Sequence, residues 1–159
     1  METGLQVPWM EYDEIRKKAD DFLHTCHPSD ELPVPIEEIV ELQLNLDIVP
    51  IPGLHTFIET DGFLYGDLSA IAVDDFVYNN RPARYRFTLA HEVGHFILHP
   101  QLFKSVRAKN SSDWKKFVNS LPERIYSRAE YQAYSFAGLI LTLSLERERF
   151  ALIKEKKGG

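Results

Sequence analysis

The chain has a single cysteine, Cys26, among its 159 residues, so no intrachain disulfide can form. It has no apolar run of about 18 residues that could span a membrane. Its first residues lack the basic stretch followed by an apolar stretch that marks a secretory signal. These absences predict a cytoplasmic protein that does not enter a membrane. The length predicts one domain, 1–159, that can bury a core without covalent cross-links.

Basic residues are also in the minority, and the net charge is -6. An acidic chain is a poor binder of nucleic acid because phosphate groups repel it. We therefore expect no direct binding to nucleic acid. A local excess of lysine and arginine over 104–128 is interpreted as a solvated loop and helix face.

Hydrophobic periodicity predicts an α+β fold, mostly helical, in which a small β-sheet packs on a central helix. Four short β-type runs separated by Pro-Gly, Asp-Gly and Gly-Asp indicate a sheet of about three strands. They are LDIVPI, TFIET, FLYGD and SAIAVD. The predicted elements are N-terminal helices over 9–45, the sheet over 46–75, the central helix over 82–99 and C-terminal helices over 113–149, of which the last begins at about residue 124.

The central helix contains the segment LAHEVGHFILH. His91 and His95 lie one turn apart, so their rings can converge on one ion. Glu92 then lies beside the ion and can reach a metal-bound water as general base, which is the H-E-x-x-H arrangement of zinc peptidases. The alternative is a buried helix with hydrogen-bonded core histidines, because apolar residues surround it on nearly all sides. Gly94 indicates that another backbone or a substrate approaches closely there, unless it is merely tolerated.

His99 is the third histidine of this segment. It lies about 12 Å from His91 along the helix axis, so one ion cannot easily bind His91, His95 and His99 together. We expect His99 to interact with the helix dipole or to contact a ligand from behind, and not to bind the metal itself.

The third ligand is expected to be a carboxylate from another element, and Glu130 is the candidate. It shares a helical face with Ala133 and Ala137, which would let its helix approach the central helix closely. The alternative is that Ser127 and Glu130 form a capping box, which predicts a helix start at Ser127. Spacing alone leaves both interpretations open.

RYRFTLAHEVGHFILH followed by ExxAxxFAGLIL resembles the ImmA/IrrE family of zinc metallopeptidases, and the resemblance covers roughly residues 33–142. It implies one Zn²⁺ bound by His91, His95 and Glu130, with Glu92 as catalytic residue. It also implies an endopeptidase whose partner is its substrate, a helix-turn-helix transcriptional repressor. The chain departs from the family at Tyr134, where asparagine is common, and in running on as TLSLERER where the family commonly has Met-Pro.

The alternative function is a zinc-containing regulatory protein that sequesters a repressor without cleaving it. The intact Glu92 favours the enzyme, because binding alone does not require a base. Catalysis would also need a hydrogen-bond donor to the oxyanion. The candidates left open are Tyr126, Tyr131, Tyr134, His55 and Tyr65. An exposed strand within 56–73 could pair with extended substrate.

Overall fold

The computed structural model describes residues 6–29, 31–105 and 108–157, with side chains as far as residue 142. It has the predicted α+β fold. Its helices are α1 (Tyr12–Cys26), α2 (Ile36–Glu38), a π-helix that continues α2 (Ile39–Gln43), α3 (Leu54–Ile58), α4 (Asp75–Asn80), α5 (Pro82–Leu98), α6 (Pro100–Lys104), α7 (Ser111–Ser120) and α8 (Glu123–Lys157), and its strands are β1 (Asp47–Ile51), β2 (Gly62–Leu64) and β3 (Ala70–Asp74). Within the described ranges, no helix combines the length and hydrophobicity needed to cross a membrane.

The sheet has three strands in the order β1-β3-β2. β3 pairs in parallel with β1 and antiparallel with β2, so that Ala72 lies between Val49 and Phe63. Every residue of β3 is buried, as expected for a central strand covered on both faces. The prediction of a small sheet of about three strands is therefore confirmed.

The strand predicted at TFIET is wrong, because this segment lies mostly in the short helix α3. Gly53 precedes α3 with φ 69° and Glu59 follows it with φ 59°, so left-handed residues flank it on both sides. A short apolar run does not distinguish a strand from a buried helical turn.

Two short helices, α4 and α6, lie outside the predicted elements. The Asp74 side chain caps α4 by accepting from the Val77 N–H at 3.2 Å. Pro100 ends α5 but also opens α6. Asn110 caps α7, and α8 continues to Lys157, beyond the predicted end at 149.

The central helix α5 packs most extensively against α8. All residues from 88 to 95 are buried, and the contact with α8 is very close at Gly94. A Cβ atom placed on Gly94 would lie 3.0 Å from both the Cα and the carbonyl oxygen of Ala133. Gly94 and Ala133 are small enough to let the two backbones meet, as the sequence predicted.

Candidate metal centre

The structure brings together the three predicted ligands from two helices. His91 and His95 lie on successive turns of α5, and Glu130 reaches them from α8. The His95 Nε2 atom lies 2.8 Å from Glu130 Oε1 and 3.2 Å from His91 Nε2, and His91 Nε2 lies 3.3 Å from Glu130 Oε2. The three ligand atoms are all within 4.8 Å of one another. Two imidazoles and one carboxylate are a donor set that suits Zn²⁺.

The capping-box interpretation of Glu130 is wrong, because α8 begins at Glu123 and Ser127 lies inside the helix. An interior serine has no free helix N-terminus to cap. The Glu130 carboxylate is instead used in its contacts with His91 and His95.

The charges of this cluster stabilise one another. Burial raises the pKa of Glu130, but hydrogen bonds from His91 and His95 and their charges outweigh burial and hold it far below its usual value. Burial lowers the pKa of His91, but the hydrogen bond to Glu130 and the charges of Glu92 and Glu130 outweigh this and raise it. A cation at this position would replace the positive charge that the histidines supply to the carboxylate.

Glu92 lies beside the three ligands and is only 3% exposed. Its Oε2 atom has no hydrogen-bond partner among the described residues. Burial raises the pKa of Glu92, and the charges of His91 and His95 oppose the rise. A buried carboxylate oxygen without a partner is costly. Its position beside a converged donor set fits a metal ion and the water that such an ion would hold.

His99 contacts His95 from behind, which was one of its two predicted roles. Its Nδ1 atom lies 3.0 Å from His95 Nδ1, and its Nε2 atom lies 2.8 Å from the Gln132 side-chain oxygen. Gln132 in turn donates to the Pro8 carbonyl at 2.7 Å. Burial lowers the pKa of His99 to about 4, so its ring is neutral near pH 7. Gln132 was missed at the sequence level, because nothing in its spacing distinguishes it from a surface glutamine.

A cavity of about 180 Å³ opens beside His91 and Glu92. A second cavity of about 230 Å³ adjoins it and shares two lining residues, Glu59 and Thr60. The lining of the first cavity includes His91, Glu92 and Gly62 of the edge strand β2. β3 is the central strand, and β2 lies at the edge of the sheet but its three residues are buried. The expectation of an exposed strand within 56–73 is therefore wrong for these two strands.

The five candidate oxyanion donors differ in whether they line one of these cavities. His55 and Tyr134 line the cavity beside the ligands, and Tyr126 lines the adjoining one. Tyr65 stacks on Phe63 in the core, and Tyr131 is an exposed residue.

Two histidines on one helix, a carboxylate from a second helix and a buried glutamate between them are the arrangement of a metallopeptidase site. The comparison with known families agrees. Residues 77–144, which are less than half of the chain but contain α5 and all four candidate site residues, match the family described as the IrrE N-terminal-like domain, Peptidase_M78. The predicted resemblance is thereby confirmed, and this segment belongs to that metallopeptidase family. Neither a curated protein nor a solved structure matches the chain.

Proposed function

We propose that the protein is a zinc-dependent endopeptidase that cleaves a helix-turn-helix transcriptional repressor, with Glu92 as general base. The observation that carries this proposal is the unpartnered Oε2 atom of Glu92, buried beside the converging ligand atoms of His91, His95 and Glu130. A cytoplasmic location suits a chain with a single cysteine.

His91, His95 and Glu130 would hold the ion. A bound divalent ion supplies Lewis-acid chemistry, because it makes a water more acidic and polarises the scissile carbonyl. The unpartnered Oε2 atom of Glu92 can take a proton from the attacking water. The same oxygen can then deliver that proton to the leaving amine.

The shape of the site supports a peptide substrate. The two cavities share the lining residues Glu59 and Thr60, and Gly62 also lines the first. Neighbouring cavities of this kind can receive successive side chains of a peptide. The choice of a helix-turn-helix repressor as substrate rests on the family resemblance.

The test is the Glu92→Gln variant, incubated with a candidate helix-turn-helix repressor that wild type cleaves. We expect one zinc per chain in both variant and wild type, and a loss of cleavage of about 10²- to 10⁴-fold, measured as fragments by mass spectrometry. Glu123→Gln, on the exposed first turn of α8, is the matched control and should cleave normally.

Cleavage at the wild-type rate by Glu92→Gln would refute the role of Glu92. A stable complex with the repressor and no fragments, even with zinc present, would instead favour the sequestration alternative.

A further inference from the structure

Three polar side chains that the mechanism above does not use meet at the cleft. His55 belongs to α3, Asp61 directly precedes β2, and Arg84 lies in the first turn of α5. The His55 Nδ1 atom lies 2.8 Å from Asp61 Oδ1, and Arg84 Nη2 lies 2.7 Å from the same oxygen. Arg84 Nε binds the second oxygen, Oδ2, so the guanidinium holds the carboxylate through both of its oxygens. Such a bidentate pair fixes orientation as well as charge.

His55 is held both at its backbone and at its ring. Its backbone N–H donates to Asp74 Oδ1 at 3.0 Å, which fixes the start of α3. An ionised carboxylate can only accept hydrogen bonds, so the ring must donate its Nδ1–H to Asp61. The Nε2 atom is then left for another partner, and none of the residues that the structure describes hydrogen-bonds it.

His55 lines the same cavity as His91 and Glu92. The His55 side chain is 52% exposed, so it does not pack in the core. Core packing therefore does not explain why Asp74 and Asp61 hold this residue in place. The Asp61 side chain is only 19% exposed, although its partners His55 and Arg84 lie at the surface of the cleft. The cluster therefore holds an accessible imidazole in the cavity that His91 and Glu92 also line.

We propose that His55 is a further catalytic residue, which donates a hydrogen bond from its Nε2 to the carbonyl oxygen of the peptide being cleaved, while Asp61 and Arg84 are positioning residues. This inference rests on the proposed peptidase function. No bond to His55 forms or breaks, and the proton stays on Nε2. The interaction strengthens as negative charge develops on the oxygen, so it stabilises the transition state more than the bound substrate.

Tyr134 is the other donor candidate in this cavity, but its ring lies tilted against His91 with centroids 4.3 Å apart and stacks on Phe87 at 5.7 Å. Through these contacts Tyr134 covers His91 and Phe87. Tyr134→Phe retains them and serves as the comparison variant.

The test compares two probes on the zinc-loaded protein. An N-phosphorylated dipeptide carries a tetrahedral phosphorus with charged oxygens, which resembles the transition state. A dipeptide hydroxamate binds the metal without a tetrahedral centre. We expect His55→Ala to weaken binding of the phosphorylated probe about 30- to 100-fold and binding of the hydroxamate less than about 3-fold. His55→Gln, which keeps an N–H near the position of Nε2, should recover part of the loss.

The positioning residues give a second measurement. Asp61→Asn should lose most of the same affinity for the phosphorylated probe, and the double variant with His55→Ala should be no weaker than either single variant. His24→Ala removes an exposed histidine that is paired with Asp20 on α1, and it should leave both affinities unchanged.

Equal binding of the phosphorylated probe by wild type and His55→Ala would overturn this inference, while zinc-dependent binding by both would leave the peptidase proposal standing. A loss seen in Tyr134→Phe but not in His55→Ala would also overturn it, because the donor would then be Tyr134. If wild type with zinc binds neither probe, the peptidase proposal fails first and this inference fails with it.

Discussion

The Nδ1 atoms of His95 and His99 lie 3.0 Å apart. One must donate and the other accept, and the choice follows from what His95 does with its second nitrogen. Its Nε2 atom faces Glu130 and His91, so a metal there requires an Nε2 lone pair and leaves the proton on Nδ1. His99 therefore accepts on Nδ1 and donates its Nε2–H to Gln132. Together His99 and Gln132 therefore favour the tautomer of His95 that binding of a metal ion through Nε2 would require.

Gln132→Leu should weaken metal binding, because His99 loses the acceptor that holds its tautomer and the ring of His95 loses its support. Loss of such a partner behind a ligand costs about 10- to 100-fold in metal affinity. The measurement is zinc affinity by competition with a chromophoric chelator. Gln43→Leu is the control, since Gln43 also donates to a backbone carbonyl, that of Cys26, but far along the sequence from the ligands. Equal affinities in the two variants would show that Gln132 does not support the site.

Glu130→Ala should lose the metal. It removes one of three ligands and leaves His91 and His95 without the carboxylate that now contacts both. We expect substoichiometric zinc by elemental analysis after dialysis, where wild type retains about one per chain. Glu123→Ala, at the exposed start of the same helix, should retain it. A full complement of zinc in Glu130→Ala would place the third ligand elsewhere.

Two glycines on the packed helices should respond oppositely to alanine. At Gly94 a Cβ would press on the backbone of Ala133, which cannot move without shifting α8. Overpacking of this kind costs about 1 to 3 kcal/mol and exceeds the gain of about 1 kcal/mol in helix propensity. At Gly138 nothing lies within 4 Å of an added Cβ, so Gly138→Ala should stabilise the protein by up to about 1 kcal/mol. Urea denaturation measures both, and a stabilised Gly94→Ala would contradict the close contact.

Asp74 should stabilise the fold in a pH-dependent way. Burial raises its pKa, but the backbone N–H groups of His55, Val77 and Phe76 outweigh burial and lower the pKa below its ordinary value of 3.8. A carboxyl group with a depressed pKa contributes stability above its unfolded value and loses it as the pH falls through the folded value. Asp74→Ala should therefore cost about 1 to 2 kcal/mol at pH 7 and progressively less below pH 3.8.

The measurement is urea denaturation of wild type and Asp74→Ala at several pH values. Asp13→Ala, in the first turn of α1, is the control with an exposed carboxylate. A difference between wild type and Asp74→Ala that does not shrink in acid would show that the carboxylate charge is not what stabilises this turn.

Much of the metal site was predictable because it depends on local spacing. Pro82 and Pro100 bound the central helix, and the four-residue interval between His91 and His95 determines that their rings converge. Glu130 was less certain, since its spacing fitted both a cap and a ligand. The start of α8 at Glu123, close to the predicted start at about residue 124, excludes the cap. The contacts of Glu130 with His91 and His95 depend on how α5 and α8 pack, which the local pattern does not contain.

The His55, Asp61 and Arg84 cluster could not be predicted in the same way. Asp61 and Arg84 are separated by 23 residues, and His55 and Arg84 by 29. Asp-Gly punctuation indicated a turn at Asp61 but gave no sign that the carboxylate faces two other elements. The wrong strand at TFIET concealed the position of His55 as well, because a helical turn directs that side chain differently from a strand.

The close approach of α5 and α8 at Gly94 has a consequence for the folding equilibrium. The ligand atoms of His95 and Glu130 belong to residues 35 apart in the sequence, and they meet only when these two helices are packed. A bound ion would therefore cross-link the two helices reversibly. It would close a loop of the chain that is open in the unfolded state. Any ion that binds only the folded chain stabilises it by mass action, so the melting temperature would report how much metal surrounds the protein.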